Sequence, residues 1–213
     1  MPDWTLLVPM KDLTRAKTRL QPPSGVSRRE LALAFARDAL RAARQLPALD
    51  IVLVTDDTAV AQLLADDADR IIGDAPAGLN AALADAASRC APGPVAAMTA
   101  DLPALKPSSL RRTLEQAADT AYAVVPDAAG TGTTLLAASS PALFRPGFGP
   151  GSRRAHERDG ALVLTAGADL RQDVDTLADL AAAGRLGLGP ATSALLDRVS
   201  LLEQVSLPEP TCR

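Results

Sequence analysis

The chain has 213 residues, of which 47% are hydrophobic but only 2% aromatic, and its formal net charge is −3. This length suits one sizeable core, and a core of Ala, Leu and Val favours helices packed on a sheet over a β-sandwich. The acidic balance argues against nucleic acid as a partner, and the two cysteines, Cys90 and Cys212, are too few for a disulfide framework or a cysteine-based metal site. We therefore expect a single α/β domain over residues 1–213, with a loose tail after about residue 207.

The chain shows neither a secretory leader pattern nor an apolar run of about 18 residues. These features favour a cytoplasmic protein that does not enter a membrane.

Strand and helix signals alternate through the first 120 residues. The apolar run 4–10 predicts a buried strand, followed by a basic loop over 11–20. Ser27 predicts the cap of a helix that reaches Gln45. Further strands are predicted at 51–55, 70–72 and 94–100, and further helices at 58–66, 78–90 and from Pro107. This order is typical of parallel strands covered by helices.

The second half of the chain adds a hairpin. Two apolar runs, 121–126 and 133–138, are joined by the turn-like segment 127–132, which predicts antiparallel strands and so a mixed sheet. A short helix is predicted over 153–158 and one or two strands within 162–174. The last predicted helices open near Thr176 and over 191–205.

Carboxylates at two distant points of the sequence indicate a magnesium site. Asp101 follows a strand of small residues, a position that faces the ligand crevice in open α/β sheets. Asp173 and Asp175, if they lie on a strand, point to the same face and would repel each other unless a cation sits between them. Two structural alternatives stay open: Asp101 caps the turn before Pro103, and Asp175 or Thr176 caps the following helix.

The basic loop follows the first strand directly. Lys11, Arg15, Lys17 and Arg19 fall within nine residues, enough charge to hold a nucleoside triphosphate. The alternative is an ordinary solvated surface loop. The segment is neither a P-loop nor a dinucleotide-binding turn, which disfavours a dehydrogenase.

Two glycine-containing segments could approach an anion. Segment 148–152 places two glycines and Ser152 at a predicted helix start, where N–H groups could receive a phosphate or carboxylate, or it is a plain turn and cap. Segment 130–134 combines glycines with hydroxyls, or is an ordinary tight turn. The single histidine, His156, shares a helical face with Ser152 and has an anion-contacting or a packing role. No serine or cysteine nucleophile can be combined with His156 into a catalytic set, so no covalent protein intermediate is expected.

Five motifs in order carry a resemblance. They lie at 8–20, 101–103, 130–134, 148–152 and 173–176. Together they resemble the phospholactate and phosphoenolpyruvate guanylyltransferases of deazaflavin coenzyme (factor 420) biosynthesis. The resemblance implies a three-layer αβα sandwich around a mainly parallel mixed sheet. This fold is similar to that of the nucleotide-diphospho-sugar transferases and the molybdenum-cofactor guanylyltransferases. The basic loop replaces the glycine-rich first loop of that wider superfamily, as in the deazaflavin branch.

The resemblance also implies roles for individual residues. The catalytic set is Lys17, Asp101 and Asp173; the phosphoenolpyruvate set is Thr133, Gly149 and Ser152; the nucleotide set is Lys11, Lys17, Arg19 and Asn80; and the Mg²⁺ ligands are Asp101, Asp173 and Asp175. GTP and phosphoenolpyruvate are the implied substrates.

Several alternatives remain at the level of function. The acceptor could be 2-phospho-L-lactate, or the chain could be a sugar-phosphate or molybdenum-cofactor nucleotidyltransferase. A non-catalytic nucleotide-binding module is the alternative from another class. A homodimer and a transient hand-over of product to the next transferase of the pathway are left open.

Overall fold

A computed structural model of the chain describes residues 3–10, 20, 22, 25–73 and 78–205, with side chains as far as Arg198. The strands are β1 (Trp4–Pro9), β2 (Leu49–Val54), β3 (Arg70–Ile72), β4 (Val95–Met98), β5 (Tyr122–Pro126), β6 (Thr133–Ala138) and β7 (Leu162–Val163). The helices are α1 (Arg28–Ala43), α2 (Thr58–Leu63), α3 (Leu79–Ser88), α4 (Pro107–Ala118), α5 (Ser152–Arg158), α6 (Ala168–Arg171), α7 (Leu177–Leu186) and α8 (Pro190–Val205). The tail predicted to be loose lies outside the described residues.

The strands form one mixed sheet in the order β3-β2-β1-β4-β6-β5-β7. β6 runs antiparallel to both of its neighbours, whereas the other paired strands are parallel. The predicted hairpin and mixed sheet are confirmed. Because β6 is reversed, its first residues lie at the same edge as the carboxyl end of β4, where the Thr99 N–H donates to the Thr134 carbonyl over 2.9 Å.

Two cores lie on opposite faces of this sheet, as strand alternation requires. From β1, Leu6 and Val8 pack in the core that α1, α2 and α4 cover. Leu7, between them, packs in the core under α3. The three side chains are fully buried, so both faces of the sheet are covered and the predicted three-layer αβα sandwich is confirmed.

A third, smaller core joins α1, α7 and α8 away from the sheet. It contains Leu31 and Phe35 of α1, Leu180 of α7, and Val174 from the segment that precedes α7. Phe35 and Val174 are both 0% exposed. This core fixes the position of the segment that carries Asp173 and Asp175.

Local signals account for two helix starts. Ser27 and Glu30 form a reciprocal capping box at α1, as predicted. Thr176 and Asp179 form another at α7, so Thr176, rather than Asp175, is the cap of that helix.

The predicted strand around Asp173 is wrong. After β7 the chain forms the short helix α6, and residues 172–176 connect it to α7 without strand pairing. The alternation of Asp173, buried Val174 and Asp175 arises because Val174 enters the third core, not because the segment joins the sheet. Across the described ranges, no helix is long and apolar enough to cross a bilayer.

Candidate active site

The candidate site lies at the edge of the sheet where β1, β2, β4 and β5 end and β6 begins. Ligands of open α/β sheets bind outside the carboxyl ends of the strands. Met10 leaves β1 at this edge, with its N–H donating to the Val54 carbonyl over 2.9 Å. The basic residues predicted to bind nucleotide, Lys11, Lys17 and Arg19, follow within 11–19 and lie outside the described residues.

The two acidic segments that are distant in the sequence meet here. The backbone N–H of Val174 donates to the carbonyl of Asp101 over 3.1 Å. Asp173 and Asp175 therefore flank the residue that bonds to Asp101. Although the segment is not a strand, its backbone lies against Asp101, and metal binding by these carboxylates stays a prediction.

Arg171 holds the same segment from the other side. Its Nε donates to the Pro126 carbonyl over 3.1 Å, and its Nη2 donates to the Asp127 carbonyl over 2.8 Å. These bonds join α6 to the end of β5, two residues before Asp173. The sequence prediction missed Arg171 because its partners are backbone oxygens 44 and 45 residues away.

The residues at this edge offer oxygen donors, which a hard cation prefers, but no ready-made group of three or more His, Cys, Asp or Glu side chains that could hold a metal is present among the described residues. Mg²⁺ commonly takes one or two carboxylates, with water and substrate phosphate completing its coordination. The side-chain hydroxyls of Thr99 and Thr134, at the same edge, are buried without a hydrogen-bond partner among the described residues. A buried hydroxyl without a partner costs about 1–3 kcal/mol, so a polar ligand or water is expected beside them.

The predicted acceptor residues Thr133 and Ser152 are in contact. Ser152 Oγ lies 3.1 Å from Thr133 Oγ1, which lies 3.1 Å from Nδ1 of His156. The N–H of Gly147 donates to Nε2 of His156 over 2.9 Å. Thr133, Ser152 and His156 are 7%, 1% and 0% exposed, so this is a buried polar chain.

Aromatic rings enclose His156. Tyr122 and Phe148 meet the imidazole edge-on, with ring centroids at 6.4 Å and 5.7 Å. Burial lowers the pKa of His156, although the nearby Asp159 carboxylate acts in the opposite direction. The ring is therefore held in its neutral form.

Two of the N–H groups at the start of α5, one of the two predicted anion-binding alternatives, are already used within the protein. The Ser152 N–H donates to the Gly149 carbonyl over 3.1 Å, and the Arg153 N–H donates to the Thr131 carbonyl over 3.2 Å. The hydroxyls of Thr133 and Ser152 lie beside this helix start and could also meet an anion. The predicted contacts of Thr133, Gly149 and Ser152 with phosphoenolpyruvate stay predictions.

The glycine turn between β5 and β6 is a tight turn. The Asp127 carboxylate accepts from the N–H groups of Thr131 and Gly132, each over 2.8 Å. A Cβ added at Gly132 would lie 2.5 Å from Asp127 Oδ2, so a larger residue would displace this carboxylate from the two N–H groups. The N–H groups of this turn serve the turn itself.

Asn80, predicted to contact the nucleotide, has a second role. Its Nδ2 donates to the Phe148 carbonyl over 3.0 Å, and the Phe148 N–H donates to its Oδ1 over 2.8 Å. This reciprocal pair ties the first turn of α3 to the segment before Gly149. A nucleotide contact by Asn80 stays a prediction.

Comparison with known proteins identifies the family. A family model described as guanylyl transferase CofC like matches residues 4–159. The chain belongs to this family. A phosphoenolpyruvate guanylyltransferase of Streptomyces avermitilis is 49% identical over 205 residues, covering 92% of this chain and 95% of the relative. The resemblance read from the five motifs is thereby confirmed.

Solved structures place the CofC-like chain in the expected fold. A Desulfovibrio desulfuricans protein assigned as a nucleotide-diphospho-sugar transferase aligns with TM-score 0.71 and 20% identity over 98% of this chain and 100% of that one. Rv0371c of Mycobacterium tuberculosis, solved in complex with manganese, aligns with TM-score 0.51 and 22% identity over 85% and 97% of the two chains. At these identities the similarity confirms the nucleotide-diphospho-sugar transferase-like fold.

Proposed function

We propose that this CofC-like enzyme joins GTP and phosphoenolpyruvate to give enolpyruvoyl-2-diphospho-5'-guanosine and diphosphate, a step of deazaflavin coenzyme (factor 420) biosynthesis. The observation that carries the proposal is the bond from Val174 to Asp101, which places two acidic segments together at the ligand-binding edge of the sheet. The 49% identity to a phosphoenolpyruvate guanylyltransferase supports the choice of acceptor.

The reaction needs no base from the protein. An oxygen of the acceptor phosphate, already ionised, forms a bond to the α-phosphorus of GTP while the bond from that phosphorus to the bridging oxygen breaks. Diphosphate leaves with the bonding electrons, and no group is oxidised or reduced. Two anions must meet in line, so the contribution of the protein is positioning and charge neutralisation. This agrees with a site whose only histidine is buried and neutral.

Asp101, Asp173 and Asp175 would supply the carboxylates for Mg²⁺, one or two at a time beside water and substrate phosphate, and the binding of manganese by a structural neighbour supports a divalent ion. The ion would neutralise charge on the phosphates.

The remaining roles fall to residues of this chain. Lys17, with Lys11 and Arg19, would neutralise the triphosphate, since the loop that carries them begins at the ligand-binding edge. Thr133 and Ser152 would donate hydroxyl hydrogens to the acceptor, and Gly149 would allow the acceptor to approach the backbone closely. Gly149 supports this role because its φ of 143° lies where larger residues are strained.

One assay tests the proposal. The protein is incubated with GTP, Mg²⁺ and, in turn, phosphoenolpyruvate, 2-phospho-L-lactate and a sugar phosphate, and the products are identified by mass spectrometry. We expect diphosphate and the enolpyruvoyl product with phosphoenolpyruvate. Diphosphate release with another acceptor only would contradict the proposed substrate. GTP binding by calorimetry without turnover of any acceptor would indicate a binding module.

Replacing the strand-end carboxylate tests the metal assignment. Asp101→Asn should lower diphosphate release by about a hundredfold or more, because the amide lacks the charge that attracts the cation. The far-ultraviolet circular dichroism should be unchanged. Asp66→Asn, on an exposed carboxylate away from this edge, is the matched control and should keep the full rate. An undiminished rate in the Asp101 variant would remove Asp101 from the metal site.

A further inference from the structure

The proton positions on His156 follow from its two hydrogen bonds. The backbone N–H of Gly147 can only donate, so Nε2 of His156 must accept and carries no hydrogen. A neutral imidazole carries one ring hydrogen, which is then on Nδ1. Nδ1 therefore donates to Thr133 Oγ1 across the 3.1 Å contact.

This donation orders the hydroxyl pair beyond the ring. Thr133 Oγ1 accepts from His156, and one further hydrogen bond joins it to Ser152 Oγ over 3.1 Å. The hydroxyls of Thr133 and Ser152 carry one hydrogen each, and the hydrogen bond between them uses one of the two. The other has no acceptor in the described part of the chain, so it must point out of the network.

The geometry points to His156 as a positioning residue that, through Nδ1–H, orients the Thr133 and Ser152 hydroxyls so that one hydrogen faces an anionic acceptor substrate. This inference rests on the proposed function. The carboxylate and the ionised phosphate of phosphoenolpyruvate are pure acceptors, so a donor facing outward matches them. If the ring accepted from Thr133 instead, that hydroxyl hydrogen would be consumed inside the network.

The residues around the imidazole hold it in one orientation. A Cβ added at Gly147 would lie 3.3 Å from Nε2 of His156, so glycine at this position allows the backbone to approach the ring closely. Phe148, the next residue, packs against the ring and is fixed by Asn80. The imidazole therefore cannot rotate to exchange its two nitrogens without breaking the Gly147 bond.

The state of the ring can be measured directly because the chain has a single histidine. In protein labelled with ¹⁵N at histidine, nitrogen NMR at neutral pH should show one protonated ring nitrogen, Nδ1, and one bare nitrogen, Nε2. A hydrogen on Nε2, or on both nitrogens, would overturn the inference.

Two substitutions separate positioning from packing. In His156→Asn the amide nitrogen can take the place of Nδ1 and donate to Thr133. In His156→Gln the amide oxygen can take the place of Nε2 and accept from Gly147, but the donor toward Thr133 is lost. We expect the Gln variant to raise the acceptor KM about tenfold or more, with the GTP KM within about twofold, and the Asn variant to stay closer to the wild type. Equal effects in both variants, or an acceptor KM unchanged in the Gln variant, would overturn the inference.

These results are separable from the test of the function. If the wild type fails to turn over phosphoenolpyruvate, the proposed function fails, whatever the state of the ring. If the wild type turns over normally and the hydrogen is on Nε2, only the role of His156 fails. Where the Gln variant does not fold, the NMR measurement on the wild type still decides.

Discussion

At the scale of single residues, burial decides which groups titrate near neutral pH. His156 is 0% exposed, and its burial among Tyr122 and Phe148 lowers its pKa below the ordinary value of about 6.5. The same burial, with Asp159 nearby, raises the pKa of Tyr122 to about 12. Both side chains are therefore uncharged around neutral pH.

The lowered pKa of His156 predicts a pH-dependent stability. Below about pH 6.5 the unfolded chain binds a proton on this ring while the folded chain does not. The free energy of unfolding should therefore decrease as the pH is lowered below about 6.5, by up to about 1.4 kcal/mol per pH unit, until the pKa of the folded state is reached. Urea unfolding at pH 7.5 and 5.5 measures the difference, and His156→Asn should lack this component.

A carboxylate would act in a different pH window. Glu30 has its pKa lowered to about 2, by the Ser27 N–H first and then by Arg198. Its contribution to stability is complete above the unfolded pKa of about 4.5 and is lost only as the pH falls toward 2.

The pH dependence between 7.5 and 5.5 is therefore assigned to His156. An equal loss of stability in the wild type and in His156→Asn over this range would contradict that assignment.

At the scale of elements, two helices are capped from distant parts of the chain. The Asp38 carboxylate of α1 accepts from the N–H groups of Ala191 and Thr192 at the start of α8, each over 2.8 Å. Asp169 does the same for α4, accepting from the N–H of Lys106 over 2.8 Å. These caps hold helix to helix, because each satisfies N–H groups that a helix start leaves without an intrahelical partner.

The glycine beside the α8 cap is required. A Cβ at Gly189 would lie 2.3 Å from Asp38 Cγ, so Gly189→Ala should lower the free energy of unfolding by about 1–3 kcal/mol through overpacking and a displaced cap. The matched control is Gly184→Ala, within α7 and with nothing near the added Cβ. That change should stabilise the chain by about 0.5–1 kcal/mol. Denaturant unfolding of both variants measures the two changes in the free energy of unfolding. Equal changes in the two variants would contradict the prediction.

At the scale of the whole molecule, residues 168–175 connect the sheet to the third core. Arg171 bonds to the end of β5, Val174 bonds to Asp101, and the Val174 side chain is buried with α1 and α7. The acidic pair therefore depends on packing that is remote from the substrates.

Val174→Ala should consequently lower both stability and turnover. Removing two buried methyl-sized groups costs about 2 kcal/mol, and the loosened segment carries Asp173 and Asp175. Val124 of β5, also 0% exposed, lies in the core under α3. Val124→Ala should cost similar stability but leave kcat near that of the wild type when both proteins are folded. Equal loss of kcat in the two variants would show that the segment has no special role.

Sequence patterns predicted the elements with local causes. The apolar run of β1, the Ser27 box of α1 and the hairpin of β5 and β6 depend on residues within a few positions of one another. The α6 helix was missed because its four residues, Ala168–Arg171, are too few to show a helical period.

The candidate site was predictable to a similar extent. Sequence placed Asp101 and the pair Asp173 and Asp175 at one site, but for a partly wrong reason, since alternation around Val174 imitates a strand. The shared face of Ser152 and His156 is local and was predicted. Their bonds with Thr133 depend on the way α5 packs beside β5, next to the start of β6, which no local pattern specifies.

Because β6 runs in the reverse direction, its start lies at the same edge of the sheet as the carboxyl ends of the parallel strands, and the opposite edge is left without site residues among those described. The candidate site segments that the structure describes lie at one edge, whereas the turn at residues 91–93 precedes β4 at the other, beside Ala48 and Asp3. Pro92 in that turn is exposed. An affinity tag or surface tether inserted at Pro92 would therefore attach the enzyme with its candidate active site facing the solution, which makes this turn a suitable point for immobilisation.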